Sequence, residues 1–150
     1  MKSKLYLIPL FLLLFFVSAC KKWLPENRIV GTWRLVDAEK KRLFSTDGFT
    51  TGYEDGLFVF NENGTASYSD PSMQLDGTWS MRNVGGGYYD SDNNWHDNAR
   101  TVFLINLYNF PANQVLNLSF DRVDFRNGGR KMFAFIDGRS YTYRYDFRKQ

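Results

Sequence analysis

The chain has 150 residues, with 19 Lys and Arg against 16 Asp and Glu, one His and one Cys. A single cysteine excludes an intrachain disulfide, a single histidine excludes a multi-histidine metal centre, and basic residues interleaved with acids give no stripe for nucleic acid. Nothing in the composition calls for more than one domain.

From the N-terminus, Lys2 and Lys4 precede an apolar run from Leu5 to Ala19 that contains Pro9. Roughly 15 residues are too few to cross a bilayer, which needs about 20. Charge, apolar stretch and then the small residues Ser18 and Ala19 make the order of a secretory signal peptide, so residues 1–19 are expected to be removed. The rest then carries a net charge of +1, down from +3. Cys20 follows directly, and Val17-Ser18-Ala19-Cys20 resembles the lipobox of bacterial lipoproteins. The resemblance implies diacylglyceryl transfer to the Cys20 thiol, cleavage before it, and a tether to the membrane through acyl chains. Lys21, where an Asp would resemble an inner-membrane retention signal, points to the outer membrane. The basic residues after Cys20 point to its periplasmic face. Residues 20–28 read as lipidated Cys and linker, and residues 29–150 as the folded domain.

From Ile29 onward the pattern has period two, broken by turn residues. Eight strands are expected: Ile29 to Glu39, Gly56 to Asn61, Thr65 to Asp70, Leu75 to Arg82, Thr101 to Asn109, Gln114 to Phe125, Lys131 to Ile136 and Arg139 to Arg148. Asn61-Glu-Asn-Gly64, Asn127-Gly128-Gly129 and, as a two-residue loop, Asp137-Gly138 are hairpin signals that make neighbours antiparallel. Lys40 to Asp55 and residues 85–98 read as long polar loops, the second mobile, with some of the first free to be a short helix. In the last strand Tyr141, Tyr143, Tyr145 and Phe147 share one face. Phe58 with Phe60, and Phe133 with Phe135, repeat the pattern. An antiparallel sheet with one apolar face closes on itself or pairs with a second sheet.

"IVGTWRLVDAE", residues 29–39, is similar to the opening strand of the lipocalin and fatty-acid-binding superfamily, with its Gly-x-Trp motif at Gly31-Thr32-Trp33. "LFVFNENGTASY" followed by "LDGTWSM" resembles the lipocalin-like domain of small bacterial lipoproteins. The resemblance implies an all-β fold, an eight-stranded antiparallel up-and-down barrel. In it Gly31, Trp33 and Trp79 form the closing motif at one end, the tryptophan filling it with the largest apolar side chain.

No catalytic constellation stands out. His96 lies in a polar loop. Asp90-x-Asp92-x-Asn94 alternates oxygen ligands like a calcium loop, but Trp95 takes the glycine position and Thr101 the bidentate Glu position. Gly85-Gly86-Gly87 lacks the helix and Lys of a phosphate loop. Asp37, Asp76 and Asp146 are the acids to inspect for an enzyme, which is not the expectation; neither is a cofactor, a metal or a nucleic-acid partner. The expected function is binding of a small hydrophobic or amphipathic molecule, with Phe60, Phe135, Tyr143 and Tyr145 as wall residues. The alternative is a filled barrel acting on an envelope protein through its surface.

Overall fold

The computed structural model describes residues 25–150 apart from 90 and 98. The expected signal peptide, Cys20 and the expected linker as far as Leu24 lie outside the described residues. Helix α1 (Pro25–Ile29) leads into β1 (Gly31–Arg42). There follow β2 (Thr46–Gly48), β3 (Leu57–Phe60), β4 (Thr65–Ser69), β5 (Gln74–Val84), β6 (Gly87–Tyr89), β7 (Trp95–Asp97), β8 (Arg100–Asn109), β9 (Gln114–Phe120), β10 (Arg122–Arg126), β11 (Lys131–Asp137) and β12 (Tyr141–Lys149). The fold is all-β and antiparallel. A ten-stranded sheet runs β10-β11-β12-β1-β3-β4-β5-β8-β9, with β2 beside the second half of β1, while β6 and β7 form a separate hairpin.

The expected strands recur with shifted ends, and the differences have local causes. Ile29 belongs to the helix, where it is fully buried. The stretch from Gln114 to Phe125 is broken at Asp121, whose amide donates to Phe135 O and whose carboxylate accepts from the Asp137 amide. Its first half pairs with β8 and its second half with β11. The sheet is therefore not closed into a barrel: β9 and β10 are its two edges, although one residue separates them. The segment from Lys40 to Asp55 continues β1 and folds back as β2, with Glu39 opposite Gly48. The polar loop of residues 85–98 carries the β6–β7 hairpin. Asp137-Gly138 does make a hairpin, but its loop has three residues, and Gly138 N donates to Tyr141 O. In the β3–β4 turn Gly64 takes φ 81°, and Asn63 Oδ1 accepts from Thr65 N at 3.0 Å. An L-residue avoids that φ, so the glycine belongs to the turn.

Strand direction alternates along the chain, which leaves two ends. At the entry end lie α1, the β3–β4 turn, the β5–β8 connection with its hairpin arm, the β10–β11 turn and the C-terminus. The opposite end carries the β1–β2, β4–β5, β8–β9 and β11–β12 turns. The core between them is aromatic, with Trp33, Phe58, Phe60, Tyr68, Phe103, Phe120 and Phe147 all at most 1% exposed. Rings meet edge to face, for example Phe60 with Phe103 at 5.5 Å and Phe58 with Phe147 at 5.7 Å, the arrangement their quadrupoles favour.

A bulge in β1 changes which side chains face inward along that strand. Pairing with β12 slips between Leu35 and Asp37. Before the slip Trp33 and Leu35 point inward; after it Ala38 does, which turns Lys40 and Arg42 to the same side. The bulge thereby brings two cations to the inner side at the far end of the strand.

Candidate ligand-binding site

Two adjoining depressions open at the end opposite the chain entry. The inner one, of about 240 Å³, is lined by Leu35, Phe49, Thr51, Tyr53, Phe58, Leu118 and Tyr145. The outer one, of about 480 Å³, is lined by Lys40, Arg42, Asp47, Gly48, Phe49, Tyr143 and Tyr145. Phe49 and Tyr145 belong to both.

Phe49 is placed by the β1–β2 turnback, since its amide donates to Ala38 O at 2.9 Å. Its ring stands edge-on to Tyr143 at 5.4 Å and Tyr145 at 5.8 Å. Beyond it the chain is held by Glu54, whose carboxylate accepts from Thr51 N at 2.6 Å and Gly52 N at 2.9 Å. Burial pushes the Glu54 carboxyl up, and these hydrogen bonds outweigh it to leave the group below its ordinary range. Tyr53 then packs edge-on to Tyr68 at 5.2 Å. At the mouth, Lys40 Nζ lies 4.3 Å and 5.0 Å from the ring centres of Tyr141 and Tyr143. Arg42 pairs with Asp47 at 2.5 Å. Burial raises the pKa of Tyr145, with the nearby Tyr143 adding to it, and burial raises that of Tyr53. Both hydroxyls therefore stay protonated donors at neutral pH. An apolar floor, neutral hydroxyls and a cationic mouth suit an amphipathic molecule with an anionic head.

Behind Tyr53, Tyr68 is completely buried and donates its hydroxyl to Asp70 Oδ2 at 2.8 Å. Asp70 Oδ1 also accepts from the Ser72 and Met73 amides, each at 2.7 Å. These bonds, that from Tyr68 foremost, hold the Asp70 carboxyl below its ordinary range; burial and the Asp70 charge raise Tyr68. A depressed folded pKa contributes stability that is present above the unfolded value of about 3.9 and is lost as pH falls through the folded value. Urea titrations from neutral pH to pH ~2.5 should show this acid loss, and Asp70→Asn should flatten it; identical slopes in the two proteins would remove Asp70 from the account. The raised Tyr68 works oppositely, its contribution lasting until pH passes about 10.

Of the wall residues expected from alternation, Tyr143 and Tyr145 line these depressions. Phe60 does not: it is 1% exposed and sits below the floor, stacked on Phe58 at 6.2 Å and edge-on to Trp79 at 6.0 Å. Phe135 faces the other way. It pairs with Arg144, whose neighbours Tyr143 and Tyr145 point inward, and the Arg122 guanidinium lies 3.8 Å above its ring. Gly31, Trp33 and Trp79 lie toward the entry end. Trp33 is fully buried and donates Nε1–H to Ile29 O at 2.6 Å, while Trp79 donates to Asn61 O at 2.9 Å. Gly31 has φ 127°, and a Cβ there would meet Lys149 Cε at 2.7 Å.

Asp37 and Asp76 are exposed. Asp146 is 5% exposed but faces outward, paired with Lys131 at 2.9 Å. None of the three lines the pocket. His96 lies in β7, and Asp92 and Asn94 lie before that strand. Among the described residues no group of three His, Cys, Asp or Glu could hold a metal ion, and no helix is long and apolar enough to cross a membrane. Phe49, Tyr53, Lys40 and Arg42 escape a sequence reading because their segment lacks period two and the bulge inverts the phase ahead of it.

Compared with protein-family models, curated proteins and solved structures, the chain matches none.

Proposed function

We propose that the chain is a lipoprotein of the bacterial cell envelope, held through Cys20 at the periplasmic face of the outer membrane, whose lipocalin-like domain binds a small amphipathic molecule rather than catalysing a reaction. The observation that carries the binding reading is the apolar pocket between Phe49, Tyr53 and Tyr145 with Lys40 and Arg42 at its mouth. The up-and-down barrel belongs to the same proposal. It is supported by the pairing of β1 with β12 and by β9 and β10 acting as one strand bent at Asp121, so that every successive pair of an eight-membered ring has a ladder.

The test is native mass spectrometry of the protein from its own envelope, with uptake of a fluorescent anionic amphiphile as the quantitative assay. A stoichiometric mass lost on denaturation is expected. Phe49→Ala should weaken uptake roughly tenfold or more, the scale of losing one buried aromatic contact. Phe135→Ala, on the outer face, should leave uptake unchanged. A clean apo mass together with indifference to Phe49→Ala would sink the binding reading. The tightly packed rings around Phe58, Phe60 and Phe103 favour a second one, a filled domain acting on an envelope protein through its surface.

A further inference from the structure

On the outward face of the sheet, four basic residues lie in register across four adjacent strands. Arg34 in β1 is opposite Arg148 in β12, Arg148 is opposite Lys131 in β11, and Lys131 is opposite Arg126 in β10. Their neighbours Trp33, Phe147, Met132 and Phe125 turn to the core, so all four point out. Like charges directly opposite each other repel, which costs the fold stability unless something anionic covers them. The row above supplies little relief. Its acids are engaged elsewhere, Asp124 with Arg122 at 3.9 Å and Asp37 with Arg144 at 3.9 Å, and only Asp146 reaches down to Lys131. Arg34, Arg126 and Arg148 are exposed, as is Arg130 in the adjoining turn. At strand spacing the row extends over roughly 15 Å, a straight line of charge suited to a plane of headgroups and not to one phosphate.

Two further features share this end. Helix α1 enters here, with Lys149 Nζ donating to Arg28 O at 3.2 Å, and Lys21 and Lys22 precede it in the sequence. The β6–β7 arm also projects from this end and carries Tyr89 and Trp95, 64% and 57% exposed, their rings 5.0 Å apart. Exposed Tyr and Trp beside cations are the side chains that settle at a bilayer interface.

We propose that this end docks on a bilayer containing anionic phospholipid, with the Arg34–Arg148–Lys131–Arg126 row on the headgroups and Trp95 in the interface. Which membrane is met rests on the anchor at Cys20 proposed above; the docking itself does not. The pocket, at the opposite end, then opens away from the surface.

Among the described residues all buried core side chains lie between Ile29 and Phe147, so a chain that starts at residue 20 with Cys20→Ser keeps that core and lacks the acyl anchor. It should float with phosphatidylcholine vesicles that contain phosphatidylglycerol and not with phosphatidylcholine alone, and salt should release it. Arg34→Gln, Arg126→Gln and Arg148→Gln combined should weaken binding roughly 100-fold with no loss of folding stability. Brominated lipid should quench the tryptophan fluorescence, and Trp95→Phe, which keeps Trp23, Trp33 and Trp79, should be quenched markedly less. Equal binding to both vesicle types, undiminished binding by the triple variant, or binding to DNA but not to vesicles would overturn the proposal. If mass spectrometry of the full chain finds no acyl group on Cys20 while the Cys20→Ser chain still binds, the anchor reading fails and the docking stands.

Discussion

Trp33→Ala is expected to lower folding stability by about 3–5 kcal/mol, the range for removing a large buried aromatic without backbone collapse. The ring is completely buried, it meets Phe125 at 6.3 Å, and Lys149 Nζ lies 5.4 Å from the centre of its face. Burial lowers the pKa of that lysine, which is secured by the Arg28 carbonyl. Nothing nearby can slide into the gap cheaply, because Gly31 has no side chain to move, a Cβ there would meet the Lys149 stem at 2.7 Å, and Phe58, opposite Trp33, is stacked on Phe60. Trp33→Phe separates two contributions: it keeps most of the apolar volume but leaves Ile29 O without the indole donor, for about 1–3 kcal/mol. Against a typical total of about 5–15 kcal/mol, the alanine variant should be partly unfolded or melt far earlier. Urea denaturation of the three proteins measures this, and a loss under ~1 kcal/mol for Trp33→Ala would show that Trp33 does not close the entry end.

How much was legible depends on what alternation can and cannot encode. Period two between turn signals marks strands well, and β3, β4, β8 and β12 lie close to where the pattern puts them. It does not say which of two faces is inside. On β11 both faces are apolar, Met132 and Ala134 on one and Phe133 and Phe135 on the other, and the larger pair is the natural choice for the interior. The structure buries the smaller pair, because Phe120, Tyr145 and Phe147 already fill the space next to β11, Phe120 meeting Tyr145 at 5.2 Å and Phe147 at 6.3 Å. The outer phenylalanines are shielded instead by cations, Arg122 over Phe135 and Lys131, Arg126 and Arg144 around Phe133. Stems of Arg and Lys that cover aromatic faces leave no apolar signature.

The pocket was half legible for a related reason. Tyr143 and Tyr145 fall on an unbroken alternation, whereas Lys40 and Arg42 reach the mouth only through the one-residue slip in β1, and a slip exchanges every later residue between faces. Phe49 and Tyr53 are held by hydrogen bonds to Ala38 O and Glu54, which have no periodicity to detect. The break at Asp121 is equally local, set by a carboxylate and an amide that tie the chain to β11. Basic residues in the outward row come from three separated stretches of the sequence, Arg34, Arg126 with Lys131, and Arg148, so they look dispersed there and become a line only once register is known.

Gly77→Ala should cost about 3 kcal/mol or more, although the substitution adds a single methyl. A Cβ at Gly77 would lie 2.1 Å from Asn106 O, 3.0 Å from Leu107 Cα and 3.1 Å from Asn106 C, all main-chain atoms of β8. A side-chain tip could swing aside; a strand paired along Asp76 to Val84 can only be pushed away, which lengthens several ladder bonds together. The two Gly-Thr-Trp repeats thus owe their glycines to different causes, backbone conformation at Gly31 and close strand approach at Gly77. Gly85→Ala is the matched control, since its Cβ would meet Ala99 Cβ at 3.4 Å and Ala99 Cα at 3.8 Å, the latter an ordinary van der Waals contact. Denaturant midpoints should separate the two variants widely, and hydrogen exchange should place the added opening in β5 and β8, with β1 and β12 still protected. If Gly77→Ala behaves like Gly85→Ala, the strands are not as close as described. If it opens β5 and β8 alone, the half of the sheet carrying Tyr145 and the cationic row can be studied with the hairpin arm loosened, and vesicle binding by that variant would report how much of the docking belongs to Trp95.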